Sequence, residues 1–547
     1  MTHPIVAWLK RHAALTIVLI AVAVVGIVRL RLGAVPLERD EGEYAYAGQL
    51  ILHGIPPYGQ VYNMKFPGTY YAYALILAIF GETPLGLHAG LLLVNAATTL
   101  LIFAIGRRIE GALFGAVAAV AFAVLSVDRC VFGVFGHATH FVLLPTLGAL
   151  LILMRDRASP SPRWILGSGV LLGLAILMKQ HAVLFVPLAA ALVSFEARPS
   201  PSSGWPLARS RLLALAAGIA IPVTAACAFL LSQGVLGRFW FWTVRYAAAY
   251  VTEVPAATAP ALFAEAWNFV TVNTLPFWIV AGFGLVALWA TPWSTRTRLF
   301  VTGLLAASFL AICPGFYFRP HYFILLLPAV GFLVGVAVVA ISRRLERILP
   351  RVAAVALAGS MFAALTASYA WPEREYLFTM TPREVSRSVY DVNPFIEAQE
   401  IANYIGARTN ADDRIAVLGS EPEILFHAGR RSATGYIYMY PLVECQPYAA
   451  RMQDEMIREI EAAGPKYLVL VKVDPSWLVR CESGLGVVKW GYRYAQQCFD
   501  LVGIMDIVSD ESTTVLWDDE ARAYTPISEN VIYTFRRKNE TPCTTMR

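Results

Sequence analysis

Charge is what this chain lacks. Asp, Glu, Lys and Arg make up 15% of its 547 residues and hydrophobic residues 57%, against roughly 25% charged in ordinary soluble domains. That excludes a soluble monomer. Acids are scarcest in the first two thirds: residues 1–369 hold 12 of the 38 acids but 25 of the 44 bases, leaving this block near +13 and the rest near −7. The net +6 therefore averages two unlike parts. The bases sit in short clusters between apolar runs, where topology and anionic lipid account for them, so no nucleic acid partner is expected. Cysteine is sparse too, seven in all, and no CxxC spacing or Cys/His cluster supports a zinc site. Long-period repeats and low-complexity segments are absent; Ala197 to Trp205, rich in Pro and Ser, reads as a short loop.

What is abundant is apolar runs of membrane-spanning character. Ala13 to Val28 has the length of a signal peptide, but Arg29 and Arg31 follow it and no small-residue cleavage site does, so it reads as a retained first span. Further spans are expected near 84–105, 112–127, 136–153, 164–178, 182–195, 212–231, 269–289, 299–313, 322–341 and 352–370, about eleven in all. Lys179, Gln180 and His181 interrupt two short runs at 164–195 that can equally be one broken helix. When the spans alternate, Lys10/Arg11, Arg107/Arg108, Arg155/Arg157/Arg163, Arg198/Arg209/Arg211, Arg296/Arg298 and Arg343/Arg344/Arg347/Arg351 fall on one side, which marks it as cytoplasmic. The expected protein is a polytopic α-helical membrane protein. Its N-terminus is cytoplasmic, residues 1–370 form the membrane block, and 371–547 form an extracytoplasmic (periplasmic) α/β domain. Outer loops are then 33–83, 128–135, 232–268 and 314–321.

The tail alternates a helical pattern, Ile396 to Arg408, with β-rich runs at Ile415–Leu418, Tyr467–Lys472, Thr513–Trp517 and Val531–Phe535. Cys445, Cys481, Cys498 and Cys543 lie in it, where disulfides are permitted; three connectivities are possible, Cys481 with Cys498 being favoured over the others, and free buried thiols are the alternative.

Four of the block's few acids, Glu38, Asp40, Glu41 and Glu43, crowd the mouth of the first span. From Asp40 a short helix can place Ala47 and Leu50 against the membrane and Tyr44 and Tyr46 at its interface. An acid is favoured at such a helix start by the dipole alone, but crowding like charges beside lipid costs free energy unless something uses them. Lys65 precedes a Phe66-Pro67-Gly68 turn at headgroup depth, where snorkelling is the plain alternative to phosphate binding. Arg319, His321 and Tyr322 start another span on the outer side, against the charge rule; arginine there can grip a phosphate with two hydrogen bonds, or simply anchor at the interface. Arg238 and Arg245, seven apart, suit lipid headgroups from one helix face. Asp128 beside Arg129 suggests a mutual salt bridge.

Taken in order, these segments resemble the GT-C glycosyltransferases, most closely the bacterial relatives of protein O-mannosyltransferases and of lipid A aminoarabinose transferase. The likeness is carried by Asp40-Glu41, Lys65-Phe66-Pro67 with Tyr70-Tyr71 and Phe80-Gly81, Gly106-Arg107-Arg108, Gly173-Leu174-Ala175 with Lys179, and Arg319 to Pro328. It covers most of residues 1–340, and its specificity rests on the order of the motifs. The resemblance implies a GT-C fold and a polyprenyl-phosphate sugar donor. The acceptor would be a cell-envelope glycan, a glycolipid or a protein, and the resemblance implies transfer on the outer face of a bacterial cytoplasmic (inner) membrane. Asp40 matches the family's catalytic acid and is assigned as general base; Glu41 matches the second acid and can orient Arg39 or the sugar, or cap the helix. Lys65, Arg319, His321 and Tyr322 would hold the donor phosphate, with Tyr44, His137, His140, Lys179 and Arg245 as possible sugar or acceptor contacts. A single base opposite the leaving group implies inversion. His137 and His140 stand where some relatives carry an acid, which puts a second catalytic carboxylate in doubt. The two can bind a metal or the sugar, or be satisfied interfacial histidines. No cofactor is required, and a divalent metal, though possible, has no support.

The alternative from another class is a polytopic transporter or flippase of a lipid-linked or anionic substrate. It calls for ionisable residues at mid-bilayer and related halves, whereas here they gather at the outer face without an internal repeat. A sugar-binding receptor anchored by its spans is a third reading, and a ligase using a diphosphate-linked glycan is the near neighbour among enzymes.

Overall fold

The computed structural model describes residues 12–154, 161–195, 204–480, 485–538 and 543. Lys10, Arg11, Arg155, Arg157, Arg198, Cys481 and most of the Ala197–Trp205 loop lie outside them. The chain separates into two compact units. The first comprises 1–33, 88–228 and 254–380; the second comprises 34–87, 229–253 and 381–547.

The first unit is helical. Each of the eleven expected apolar segments contains helix, but their lengths differ. Six described helices, Ala13–Arg31, Pro84–Glu110, Ala208–Ser232, Thr295–Ile312, Pro320–Leu345 and Arg351–Ala370, are long and apolar enough to cross a membrane. A seventh candidate is a pair, Ala256–Thr271 and Leu275–Ala290, bent by 111°. The expected single span at 269–289 is thus two arms. Thr274 ends the first turn-out by bonding back to the Val270 carbonyl, and Pro276 in the first turn of the second arm suits a helix start. Ala112–Leu125, Ala138–Leu153, Pro162–Met178 and Gln180–Phe195 are shorter apolar helices. The break within 164–195 falls at Lys179, which is extended between Pro162–Met178 and a 3₁₀ turn, Gln180–Phe185.

Pro320–Leu345 is the core of this unit and is buried along nearly its whole length. Small residues let its neighbours approach at backbone distance, as expected where helices associate by packing rather than by the hydrophobic effect. A β-carbon at Gly331 would lie 2.6 Å from the Ala118 carbonyl oxygen.

The second unit carries a six-stranded mixed sheet. Its strands are β1 Arg414–Leu418, β2 Arg431–Ser432, β3 Tyr467–Lys472, β4 Phe499–Ile507, β5 Thr513–Trp517 and β6 Val531–Arg537, in the order β2-β1-β3-β6-β4-β5. β1 pairs in parallel with β2 and β3, and the remaining pairs are antiparallel. Helix Ala449–Ala463 makes the crossover into β3 and buries Met452, Met456 and Ile460 against Ala416, Leu418 and Leu468, each burial contributing roughly 1.5–3 kcal/mol. β4 escapes the alternating pattern in the sequence because a bulge between Leu501 and Gly503 shifts its register.

The register of β4 on β6 pairs Phe499 with Arg537 and so returns the chain end to Cys498. Cys498 is bonded to Cys543, with Cα atoms 5.9 Å apart, which corrects the favoured Cys481–Cys498 pairing. Cys445 is also disulfide-bonded.

Gly331→Val should lower the yield of folded protein and its thermal midpoint in detergent, by about 1–3 kcal/mol of stability, because the added branch meets backbone that cannot withdraw. An unchanged midpoint would contradict the close approach.

Candidate active site

In the second unit the acidic motif forms the start of helix Arg39–Leu52. Glu38 is its N-cap: the Glu38 carboxylate accepts the Glu41 amide at 2.9 Å, while the Glu38 amide donates to Glu41 Oε2 at 3.3 Å. Glu41 is therefore a reciprocal capping residue, and Arg39 turns away from it. The Arg39 guanidinium donates instead to the Ser420 carbonyl at 2.6 Å, Tyr440 Oη at 2.9 Å, Asn393 Oδ1 at 3.0 Å and Glu421 Oε1 at 3.1 Å. The helix is buried along most of its length, including Tyr44, Tyr46, Ala47 and Leu50. The expected interfacial placement of Tyr44 and Tyr46 gives way to packing inside the unit, where Tyr46 Oη accepts the Ser432 amide at 2.8 Å.

Asp40 stays partly open, its side chain 15% exposed. The loop that follows the helix carries Lys65 back to it. Phe66 is extended and Pro67 opens helix Pro67–Phe80 in its first turn, while Tyr58 Oη donates to the Lys65 carbonyl at 2.7 Å. The Lys65 ammonium donates to Asp40 Oδ1 at 2.6 Å and to Glu43 Oε2 at 2.8 Å. It lies 4.5 Å from the Tyr44 ring centroid and 5.3 Å from that of Tyr438, within cation–π range. Glu43 is fully buried and also accepts Asn63 Nδ2 at 2.8 Å and Tyr70 Oη at 2.5 Å.

The electrostatics follow from burial and this pairing. Burial pulls the Lys65 ammonium down, but Asp40 and Glu43 outweigh it and hold the group well above the ordinary lysine range. Burial pushes the Glu43 carboxyl up, Lys65 opposing it. Glu423, fully buried against Gly42, is driven well above the usual carboxylate range by burial and then by Glu421; neither of its oxygens has a hydrogen-bond partner among the described residues. Two cations, Lys65 and Arg39, thus make the crowding of carboxylates tolerable.

Arg245 is exposed in a π-helical turn, Phe241–Tyr246. Arg238, on the helix before it, packs 4.8 Å over the Tyr62 ring and donates to the Gly59 carbonyl at 3.1 Å.

The other expected site residues belong to the first unit. His137 and His321 stack with centroids 4.1 Å apart and planes 9° apart. Lys179 Nζ sits 3.8 Å above the Tyr322 ring, whose edge also meets His181 at 5.0 Å. Arg319 leans over Tyr317 at 5.6 Å, and its carbonyl accepts the Tyr322 amide. His140 is buried one turn into helix Ala138–Leu153. The structure therefore gathers Asp40, Tyr44 and Lys65 in one unit, and His137, Lys179, His321 and Tyr322 in the other. Arg129 pairs with Glu373 at 3.0 Å rather than with Asp128, whose carboxylate instead caps the Cys130 amide at 3.2 Å. The neighbour is too short a reach along the chain, and Glu373 is brought in by the fold.

Residues missed by sequence reasoning are Tyr438, whose phenol donates to Asp40 Oδ1 at 3.2 Å, Glu421, which accepts from Arg39, and Ser476, whose hydroxyl donates to Glu421 Oε2 at 2.7 Å. Glu43 was visible as part of the acidic cluster. Tyr438 lies 398 residues from Asp40; its only signal was the alternation of tyrosines at 436, 438 and 440.

Residues 65–225 match the family described as dolichyl-phosphate-mannose-protein mannosyltransferase. The chain is a multi-pass membrane protein of the GT-C fold. It is similar to ArnT of Cupriavidus metallidurans in the apo state, with a TM-score of 0.61 and 15% identity over 95% of this chain and 98% of that one. The same protein bound to undecaprenyl phosphate matches with a TM-score of 0.56 and 15% identity over 84% and 93%. An oligosaccharyltransferase of Archaeoglobus fulgidus tethered with an acceptor peptide matches with a TM-score of 0.53 and 14% identity over 94% of this chain and 75% of that one. No curated protein matches.

Two outcomes are expected. Lys65→Met leaves a buried carboxylate without its cation and should cost about 3–5 kcal/mol of stability, much of it recovered in Lys65→Met/Glu43→Gln; additive losses in that cycle would contradict the coupling. Burial raises Asp128 to about 7, above an unfolded value of about 4, so the folded state binds the extra proton in between. Stability relative to Asp128→Asn should fall as pH rises from about 4 to about 7, and a flat difference in thermal midpoint would refute it.

Proposed function

We propose that this protein is a glycosyltransferase that moves a sugar from a polyprenyl-phosphate donor to an acceptor hydroxyl on the outer face of the cytoplasmic membrane, with inversion. The observation that carries the reading is the contact of a partly open carboxylate, Asp40, with the lysine ammonium of Lys65, in a chain of GT-C fold whose residues 65–225 match a lipid-phosphate mannosyltransferase family. ArnT, whose fold this chain shares, binds undecaprenyl phosphate.

An acceptor hydroxyl is a poor nucleophile. Asp40 takes its proton as the oxygen attacks the anomeric carbon, while the bond from that carbon to the phosphate oxygen breaks. The lipid phosphate leaves with the electron pair and needs its growing charge held, not a proton. Lys65 supplies that charge, with Arg319, His321 and Tyr322 as further phosphate ligands, and Tyr44, His137, His140, Lys179 and Arg245 as candidate sugar or acceptor contacts. An ammonium has three donors, of which Asp40 and Glu43 take two. A phosphate drawn to Lys65 competes with Asp40 for it, so donor binding frees the base it needs. Glu41 acts by fixing the helix start. The step as written uses no cofactor.

In topology, the reading puts the N-terminus in the cytoplasm, residues 1–370 in the catalytic membrane block with loop 33–83 outward, and 371–547 in the periplasm. The acceptor is a cell-envelope glycan, a glycolipid or a protein.

Purified protein incubated with undecaprenyl-phosphate hexoses and pentoses and a membrane extract should transfer sugar, and Asp40→Asn, at equal folded yield, should lose at least about 100-fold in rate. Undiminished turnover in that variant would overturn Asp40 as base.

A further inference from the structure

Among the contacts that the C-terminal segment makes with the acidic motif, one side chain reaches Asp40 itself. Tyr438 lies in the stretch between β2 and the short helix Tyr440–Val443, in the same compact unit as Asp40. Its phenol donates to Asp40 Oδ1 at 3.2 Å, the same oxygen that accepts Lys65 Nζ at 2.6 Å. The Tyr438 ring is half-buried and is held from both sides. It meets Tyr440 edge-on at 4.9 Å, and the next residue is tied down by a bond from the Met439 amide to Ser420 Oγ at 2.9 Å. Tyr440 in turn is locked by donating to the Pro475 carbonyl at 2.6 Å and accepting from Arg39 at 2.9 Å. The phenol is thus presented to Asp40 by a fixed scaffold rather than by a swinging side chain.

We propose that Tyr438 is a positioning residue for catalysis, orienting the Asp40 carboxylate by anchoring Oδ1 so that the carboxylate faces the acceptor hydroxyl. The inference rests on the reading of Asp40 as the base. At rest two donors share Oδ1, and when Lys65 turns to the phosphate the phenol remains to hold that oxygen; a general base misplaced by a fraction of an ångström loses much of its effect. A donor to a carboxylate also favours its ionised form, so the phenol keeps Asp40 competent when Lys65 turns to the phosphate. Tyr438 forms and breaks no bond in the reaction, and the proton leaving the acceptor goes to Asp40.

The test is Tyr438→Phe, which keeps the ring beside Tyr440 and Lys65 and removes only the hydroxyl. With the undecaprenyl-phosphate sugar that supports turnover, kcat should fall about tenfold and KM for the donor should stay unchanged. The acidic limb of rate against pH should move up by about one pH unit, the size expected for one lost charge-assisted hydrogen bond. A second readout needs no substrate: the carboxylate infrared band that disappears in Asp40→Asn should titrate at higher pH in Tyr438→Phe than in wild type. Superimposable pH profiles and infrared titrations, or a loss carried wholly by KM, would overturn the proposal. If Asp40→Asn is inactive while Tyr438→Phe matches wild type, only the role of Tyr438 falls. If Asp40→Asn transfers sugar undiminished, the reading of Asp40 falls first and the role of Tyr438 with it.

Discussion

The Lys65 ammonium, held between Asp40 and Glu43, is the interaction on which the candidate site depends. A fully buried carboxylate such as Glu43 is tolerable only with a cation and further donors around it, and Lys65, Asn63 and Tyr70 supply them. The same lysine extends its charge to the more open Asp40. On the proposed reading, structure and chemistry are joined in one residue: the lysine that neutralises the acidic helix also holds the anionic leaving group.

The surrounding architecture serves that contact. Arg39 fastens the helix start to Ser420, Glu421, Asn393 and Tyr440, all far along the chain, so the segment after the first helix and the C-terminal sheet domain form one unit. Gly42 allows Glu423 to pack directly on the helix; a β-carbon there would meet the Glu423 amide nitrogen at 2.7 Å. The tail is thus a structural partner of the acidic motif and the source of Tyr438. In the first unit, backbone-close packing around Pro320–Leu345 makes a rigid helical frame that carries the stacked His137 and His321.

Much of this was legible in the sequence, for physical reasons. Apolar runs announce helices in a membrane because every backbone group must be satisfied within the segment, and four tail strands showed through their β-branched and aromatic content. Asp40, Lys65 and the acidic crowding stood out because charge is so scarce in the block. What was not legible depended on distant contacts. The bend at Thr274, the bulge in β4 and the Cys498–Cys543 pairing are decided by packing and register. Tyr44 and Tyr46, which local pattern places at an interface, are buried instead: Tyr44 lies against Tyr70 and Tyr73, and Tyr46 accepts the amide of Ser432, 386 residues away in the sheet domain. Arg129 shows the same lesson in miniature, passing over its neighbour for Glu373.

The mechanism asks that one lysine serve two anions in turn, the carboxylate at rest and the lipid phosphate when the donor arrives. The most direct measurement is an experimental structure of the protein with undecaprenyl phosphate bound. The account predicts a phosphate oxygen within hydrogen-bond distance of Lys65 Nζ, with the Lys65 to Asp40 contact lengthened beyond its present 2.6 Å. A phosphate seated away from Lys65, with that contact intact, would contradict it.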